Sequence, residues 1–89
     1  MKFTWHESKR QINLKSHGFD FCVAEQVFNG ATVTVEDKRD YGCEQRFNTT
    51  GLMGVSVVVI THTETENKIH IISMREAENH ETRKFFSNL

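Results

Sequence analysis

Residues 55–61, VSVVVIT, carry apolar side chains at consecutive positions through their centre. Successive strand residues point to opposite faces. A strand of this kind is apolar on both sides and suits the middle of a sheet. The rest of an 89-residue chain must therefore supply neighbouring strands and elements that pack on them.

The segment Lys68–Met74, KIHIISM, answers the first need. Ile69, Ile71 and Ile72, with His70 among them, read as a buried strand. A charged, helix-compatible stretch follows, in which Ala77, Glu81 and Phe85 recur every fourth residue and share a helical face. Arg75 is thereby expected where the strand leaves the sheet and the last helix starts. Upstream, Ala31–Glu36, ATVTVE, alternates with period two, and Asp37–Gly42, DKRDYG, reads as a polar loop. Glu44–Gly51 is a further strand containing Arg46 and Phe47, Met53-Gly54 supplies a hairpin turn, and Thr63–Asn67 is a five-residue loop. Short connections between consecutive strands predict an antiparallel meander.

The N-terminal third is helical in pattern. Thr4 and Glu7 fit a capping box ahead of a helix over His6–His17, which Gly18 is placed to end. Asp20 is placed to cap a second helix over Phe21–Asn29, with Phe21, Ala24, Val27 and Phe28 as its apolar stripe. Segregation of helices from strands along the chain gives an α+β class. The expected architecture is one domain, 1–89, with a four-stranded antiparallel sheet, two N-terminal helices and a C-terminal helix. Val57, Val59, Ile69 and Ile71 are expected in its core.

A net charge of −1 argues against a protein that binds nucleic acid through a broad basic surface. Any basic patch must be local and assembled by the fold. Five histidines show no HExxH or other metal-ligand spacing, so no metal or cofactor is expected. No apolar run approaches the ~20 residues of a membrane helix. The opening MKFTWHESKR has no apolar signal core, and Cys22 and Cys43 stand apart without CxxC character. A cytoplasmic, reducing location is expected.

An ordered set of residues resembles a known family. Trp5, Lys9, Asn13, Lys15-Ser16-His17-Gly18, Phe21, Ala24 and Val27-Phe28 look like the opening of the BrnT toxins. Glu44-x-Arg46, Gly51, the valine-rich strand, Ile69-x-Ile71-Ile72-Ser73-x-Arg75-x-Ala77 and Glu81 look like the remainder. The resemblance implies a RelE-like fold and a metal-independent ribonuclease that arrests bacterial growth. It also implies neutralisation by a cognate BrnA-like antitoxin with a ribbon-helix-helix DNA-binding region. Operator DNA would then be reached only through the antitoxin, in a toxin–antitoxin heterotetramer. This chain departs from the family pattern at Thr65 and His70, where arginine is usual, and at Phe85, near a usual tyrosine. It departs also at His6 and Glu78, where an acidic residue and Ser or Thr are frequent. These departures keep a second reading open, a toxin-like module that binds the antitoxin and co-represses its operon with weak or no cleavage.

Metal-free RNA cleavage needs a base for the 2′-hydroxyl proton, an acid for the leaving 5′-oxygen, and fixed cations for the charge that builds on phosphorus. Arg75, His70, Arg46 and His62 are the candidate catalytic residues, and Lys9, Lys68 and Arg83 the candidate RNA contacts. Each has a structural alternative. Arg75 could brace the last helix through Glu81 or Glu44, His70 and His62 could be strand residues, and Lys9 a solvated helix lysine. His17 suits a helix C-terminus. If His70 supplies charge in place of an arginine, activity is expected to fall as pH rises through the histidine range.

Overall fold

In the computed structural model, which describes residues 1–39 and 41–89, the strand that is apolar on both faces forms the middle of a five-stranded sheet. Asp40, inside the loop expected over 37–42, lies outside the described residues. The elements in chain order are β1 (Lys2–Thr4), α1 (Glu7–His17), a 3₁₀ turn (Phe21–Val23), α2 (Ala24–Phe28) and β2 (Thr32–Asp37). They continue with β3 (Arg46–Met53), β4 (Ser56–Glu64), β5 (Lys68–Glu76) and α3 (Asn79–Ser87). The sheet order is β1-β5-β4-β3-β2.

The side chains of β4 divide between two cores. Val58 and Ile60 join Ile69, Ile71 and Met74 of β5 beneath Phe21, Ala24 and Val27. On the opposite face, Val59 lines a trough with Phe85 of α3. Val57, Val59, Ile69 and Ile71 are all buried, as expected. Alternation along β4 thus explains why it tolerates no polar residue between Val57 and Ile60.

β2, β3, β4 and β5 form the expected antiparallel meander. The expected four-stranded antiparallel sheet is nonetheless incomplete. β1 adds a fifth strand that runs parallel to β5, with Phe3 beside Ile69 and Thr4 beside His70. Thr4 is therefore a strand residue and not a helix cap. His6 is the N-cap of α1, which starts at Glu7. Gly18 ends that helix with φ of 79°, and its N–H donates to Leu14 O; a left-handed residue here favours glycine. Asp20 caps as expected, accepting from the Cys22 N–H at 3.0 Å. The helix expected over Phe21–Asn29 splits into the 3₁₀ turn and the short α2. That segment lies against β3 at Gly51, where an added Cβ would stand 2.6 Å from Val27 Cγ1. β5 runs on through Glu76, and the Ala77 N–H still bonds to Val57 O. Arg75 consequently sits inside the strand and not at a strand–helix junction.

β1 covers the edge of β5 only as far as His70. Further along, a side chain does the work of a strand. The Asn13 amide donates to Met74 O at 2.8 Å and accepts from the Met74 N–H at 3.0 Å, and the same amide nitrogen donates to Phe19 O at 3.0 Å. Asn13 is 6% exposed, so these groups have little access to water. Asn13→Ala leaves a buried donor and acceptor of β5 without partners. It is expected to cost on the order of 1–3 kcal/mol, read as a lower urea midpoint with an unchanged slope.

Candidate functional site

The sheet register sorts the candidate residues into rows, because directly paired strand residues project to the same face. Thr63 of β4 pairs with His70 of β5, and Arg46 begins β3 on the same side. The next row holds Asn48, Thr61 and Ser73, with the Thr61 hydroxyl donating to Asn48 Oδ1 at 2.7 Å. The third row holds Thr50, Val59 and Arg75, next to α3. Thr63 and Val59 are four residues apart on β4, which separates the first and third rows by about 13 Å.

At the first row, His6, Lys9, Glu44, Arg46, His70, Ile71 and Ile72 line a cleft of about 190 Å³. Three of the sequence candidates, Lys9, Arg46 and His70, thus meet at one place. Each comes from a different element. Lys9 stands on the first turns of α1, exposed and without a carboxylate partner among the described residues. Arg46 is held from two sides. Its Nε donates to Glu44 Oε1 at 2.6 Å, and its guanidinium lies 4.1 Å from the Tyr41 ring centroid. Tyr41 is itself placed by Asp37, which accepts its hydroxyl at 2.9 Å and also binds Arg39.

His70 is oriented through Thr4, whose Oγ1 is 2.9 Å from its Nδ1. Burial holds its pKa below the ordinary histidine value, and the neighbouring His6 adds to that effect while Glu44 opposes it. His70 is thereby biased toward the neutral form at pH 7. The residue is better suited to accept a proton than to replace a permanent cation.

The other candidates lie elsewhere. Arg75 places its fork on Glu81 of α3, Nη1 to Oε1 at 2.7 Å and Nη2 to Oε2 at 2.9 Å. Glu81 Oε1 also accepts the Glu78 N–H at 2.8 Å, so one carboxylate ties the start of α3 to the sheet. Of the alternatives weighed for Arg75, its partner is Glu81, whereas Glu44 serves Arg46. Arg83 is exposed on α3 beside Glu76 and Glu78. Lys68 is exposed at the start of β5 beside Lys2.

His62 is fully enclosed, with its ring between Phe28 and Phe47. Its Nε2 lies 2.7 Å from Thr49 Oγ1, which in turn meets Thr34 Oγ1 at 2.7 Å. Its Nδ1 has no hydrogen-bond partner among the described residues, although Glu64 Oε1 stands 3.5 Å away. Substrate has no direct route to this ring in the structure.

Reasoning from sequence missed His6, Thr4 and Tyr41. His6 and Thr4 were assigned to the start of a helix, and Tyr41 to a polar loop. The signal for Tyr41 was its position between Arg39 and Arg46, two cations able to stack on it. Thr4 and His6 had no local signal, since their roles depend on pairing with a strand 66 residues away.

A family model described as "Ribonuclease toxin, BrnT, of type II toxin-antitoxin system" matches residues 5–81. No curated protein matches the chain. Among the described residues, no helix is long and apolar enough to cross a membrane.

The environment of His62 has a consequence for stability. Burial pushes its pKa from 6.5 down to about 4. The unfolded chain therefore takes up this proton at a higher pH than the folded one. The associated stability is complete above about pH 6.5 and declines as pH falls toward about 4. Glu81, held at about 2 by Arg75, contributes in a lower window, losing its part as pH falls from 4.5 toward 2. His62→Gln is expected to flatten the loss between pH 6.5 and 4 and to leave the lower decline in place. Denaturation midpoints measured across this range provide the check.

Proposed function

Because the chain belongs to the BrnT family of ribonuclease toxins of type II toxin–antitoxin systems, we propose that it cleaves RNA, without a metal ion, at the cleft shared by α1, β3 and β5. The observation that carries this is the meeting of Lys9, Arg46 and His70 around one opening. Arg46 and Lys9 hold the scissile phosphate and stabilise the charge that develops on it. His70 takes the proton of the 2′-hydroxyl, for which a neutral imidazole is the required form. The Tyr41 ring and Glu44 keep the guanidinium of Arg46 in place before substrate arrives, which lowers the cost of organising the site. Arg75 contributes from a distance, by bracing α3 against the sheet through Glu81.

A specific observation supports the second reading as well. Arg46 and Arg75 each already carry an internal carboxylate, Glu44 and Glu81. Two guanidiniums already paired in this way leave less free charge for a reacting phosphate, which fits a module whose first task is binding. The partner in either reading is a cognate antitoxin of the BrnA type, with a ribbon-helix-helix region that carries the complex to operator DNA as a heterotetramer. The antitoxin silences the cleft by covering Lys9 and Arg46.

Incubation of the purified protein with RNA in EDTA separates the two readings. Cleavage is expected, and Lys9→Ala and Arg46→Ala are each expected to lower it by roughly 10²–10³-fold, by analogy with the loss of one oxyanion donor. Circular dichroism of each variant must show the fold retained. Intact RNA alongside tight binding of the antitoxin would select the binding module.

The antitoxin is expected to place at least one carboxylate against Lys9 or Arg46, making affinity fall with salt. An interface that leaves both residues open to solvent would exclude inhibition by occlusion.

A further inference from the structure

The cleft contains a second imidazole. The His6 ring centroid lies 5.0 Å from that of His70, with the ring planes at 75°. His6 is the N-cap of α1, yet its side chain makes no capping hydrogen bond. It is also exposed, so neither the helix nor the core accounts for where its ring sits. His70, by contrast, is half-buried and is held at Nδ1 by Thr4.

We infer that His6 and His70 form an acid–base pair, in which His70 Nε2 receives the proton of the attacking 2′-hydroxyl and His6 donates a proton to the departing 5′-oxygen. This rests on the ribonuclease reading above and assigns the acid that the reading lacks. The 2′-oxygen forms its bond to phosphorus as the P–O5′ bond breaks. The electron pair left on O5′ takes the His6 proton. The products are a 2′,3′-cyclic phosphate and a 5′-hydroxyl end. His70 finishes protonated and His6 neutral, and exchange with water restores the starting forms.

The geometry supports this assignment of the two rings when the Nδ1 proton of His70 is placed toward Thr4. A neutral His70 that donates from Nδ1 to Thr4 Oγ1 leaves the Nε2 lone pair bare, as a base requires. The better enclosed ring resists charge, and enclosure is greater at His70 than at His6. The His6 ring, 5.0 Å away, adds to burial in disfavouring the charged form of His70. The other charged groups lining the cleft are Lys9 of α1, Arg46 of β3 and Glu44 in the preceding loop. Glu44, already bonded to Arg46, opposes burial and His6 in their effect on His70. Thr4 is a positioning residue in this scheme.

The test uses the full chain in EDTA and two RNAs, one natural and one with sulfur in place of O5′ at the mapped cleavage site. A thiolate leaves without needing a proton. Wild-type activity on natural RNA is expected to be bell-shaped in pH. His6→Gln is expected to lose roughly 10²-fold or more on natural RNA, to lose the alkaline limb, and to return near wild-type rate on the sulfur-substituted RNA. His70→Gln is expected to stay slow on both. In the NMR titration of His6→Gln, the His70 midpoint is expected to rise as the neighbouring charge is removed.

Wild-type cleavage with His6→Gln retaining both rate and bell shape would overturn the acid role and leave the ribonuclease reading intact. A His6→Gln deficit that sulfur does not relieve would do the same. Absence of cleavage by the wild-type protein would overturn both.

Discussion

The structure depends on how the open edge of β5 is closed. β1 pairs with only the first residues of that strand, and the edge beyond would expose backbone groups beside the core. Asn13 supplies the missing hydrogen bonds from the inner face of α1. An unpaired buried amide costs about as much as a lost hydrogen bond, so this contact fixes the position of α1 along β5. Arg10 adds a second tie one turn earlier, binding both Glu7 and Asp20 at the mouth of the 3₁₀ turn. With α1 held in this way, its first turn overhangs His70. The placement of His6 and Lys9 follows from a backbone requirement further along the same helix.

The electrostatics are local. The chain is almost neutral overall, and four of its five arginines are paired. Arg10, Arg39, Arg46 and Arg75 all lie against carboxylates. Exposed pairs of this sort contribute little to stability, but they decide which cations face a ligand without competition. At the cleft, Lys9 is the cation without such a partner among the described residues, and Arg46 is held by a single carboxylate and an aromatic face. On the proposed reading the cleft offers cations for one phosphate and not for a long polyanion held along its whole length. A modest salt dependence follows, since the number of phosphates neutralised sets its slope.

Much of the fold was legible because its signals are local. The consecutive valines of β4, the isoleucines of β5, Gly18 and Asp20 announce themselves within a few residues. What escaped was non-local. A three-residue strand has no periodicity to detect, and Thr4-Trp5-His6-Glu7 spells a capping box equally well. The pairing of β1 with β5 decides the matter, and Thr4 spends its hydroxyl on His70. The helix expected over Phe21–Asn29 was interrupted because Asp20 starts a tight turn and Val27 must meet Gly51. The site was half legible. Lys9, Arg46 and His70 could be named as chemical types, but their convergence depends on strand register. Arg75 was expected just beyond a strand ending at Met74, and the strand instead continues to Glu76, where the sequence turns polar.

The distance in sequence between Thr4 and His70 has a consequence for when the cleft can assemble during synthesis of the chain. The cleft takes His6 and Lys9 from the start of the chain, Arg46 from its middle and His70 from its last quarter. Among the described residues β1 is the only strand paired in parallel, and it cannot pair until β5 has been made and is free to join the sheet. Contacts of such long range form late, after the loops between them have closed. A nascent chain that stops short of β5 holds the elements from β1 to β4 and no cleft. The order of synthesis therefore makes the cleft one of the last features of the fold to assemble.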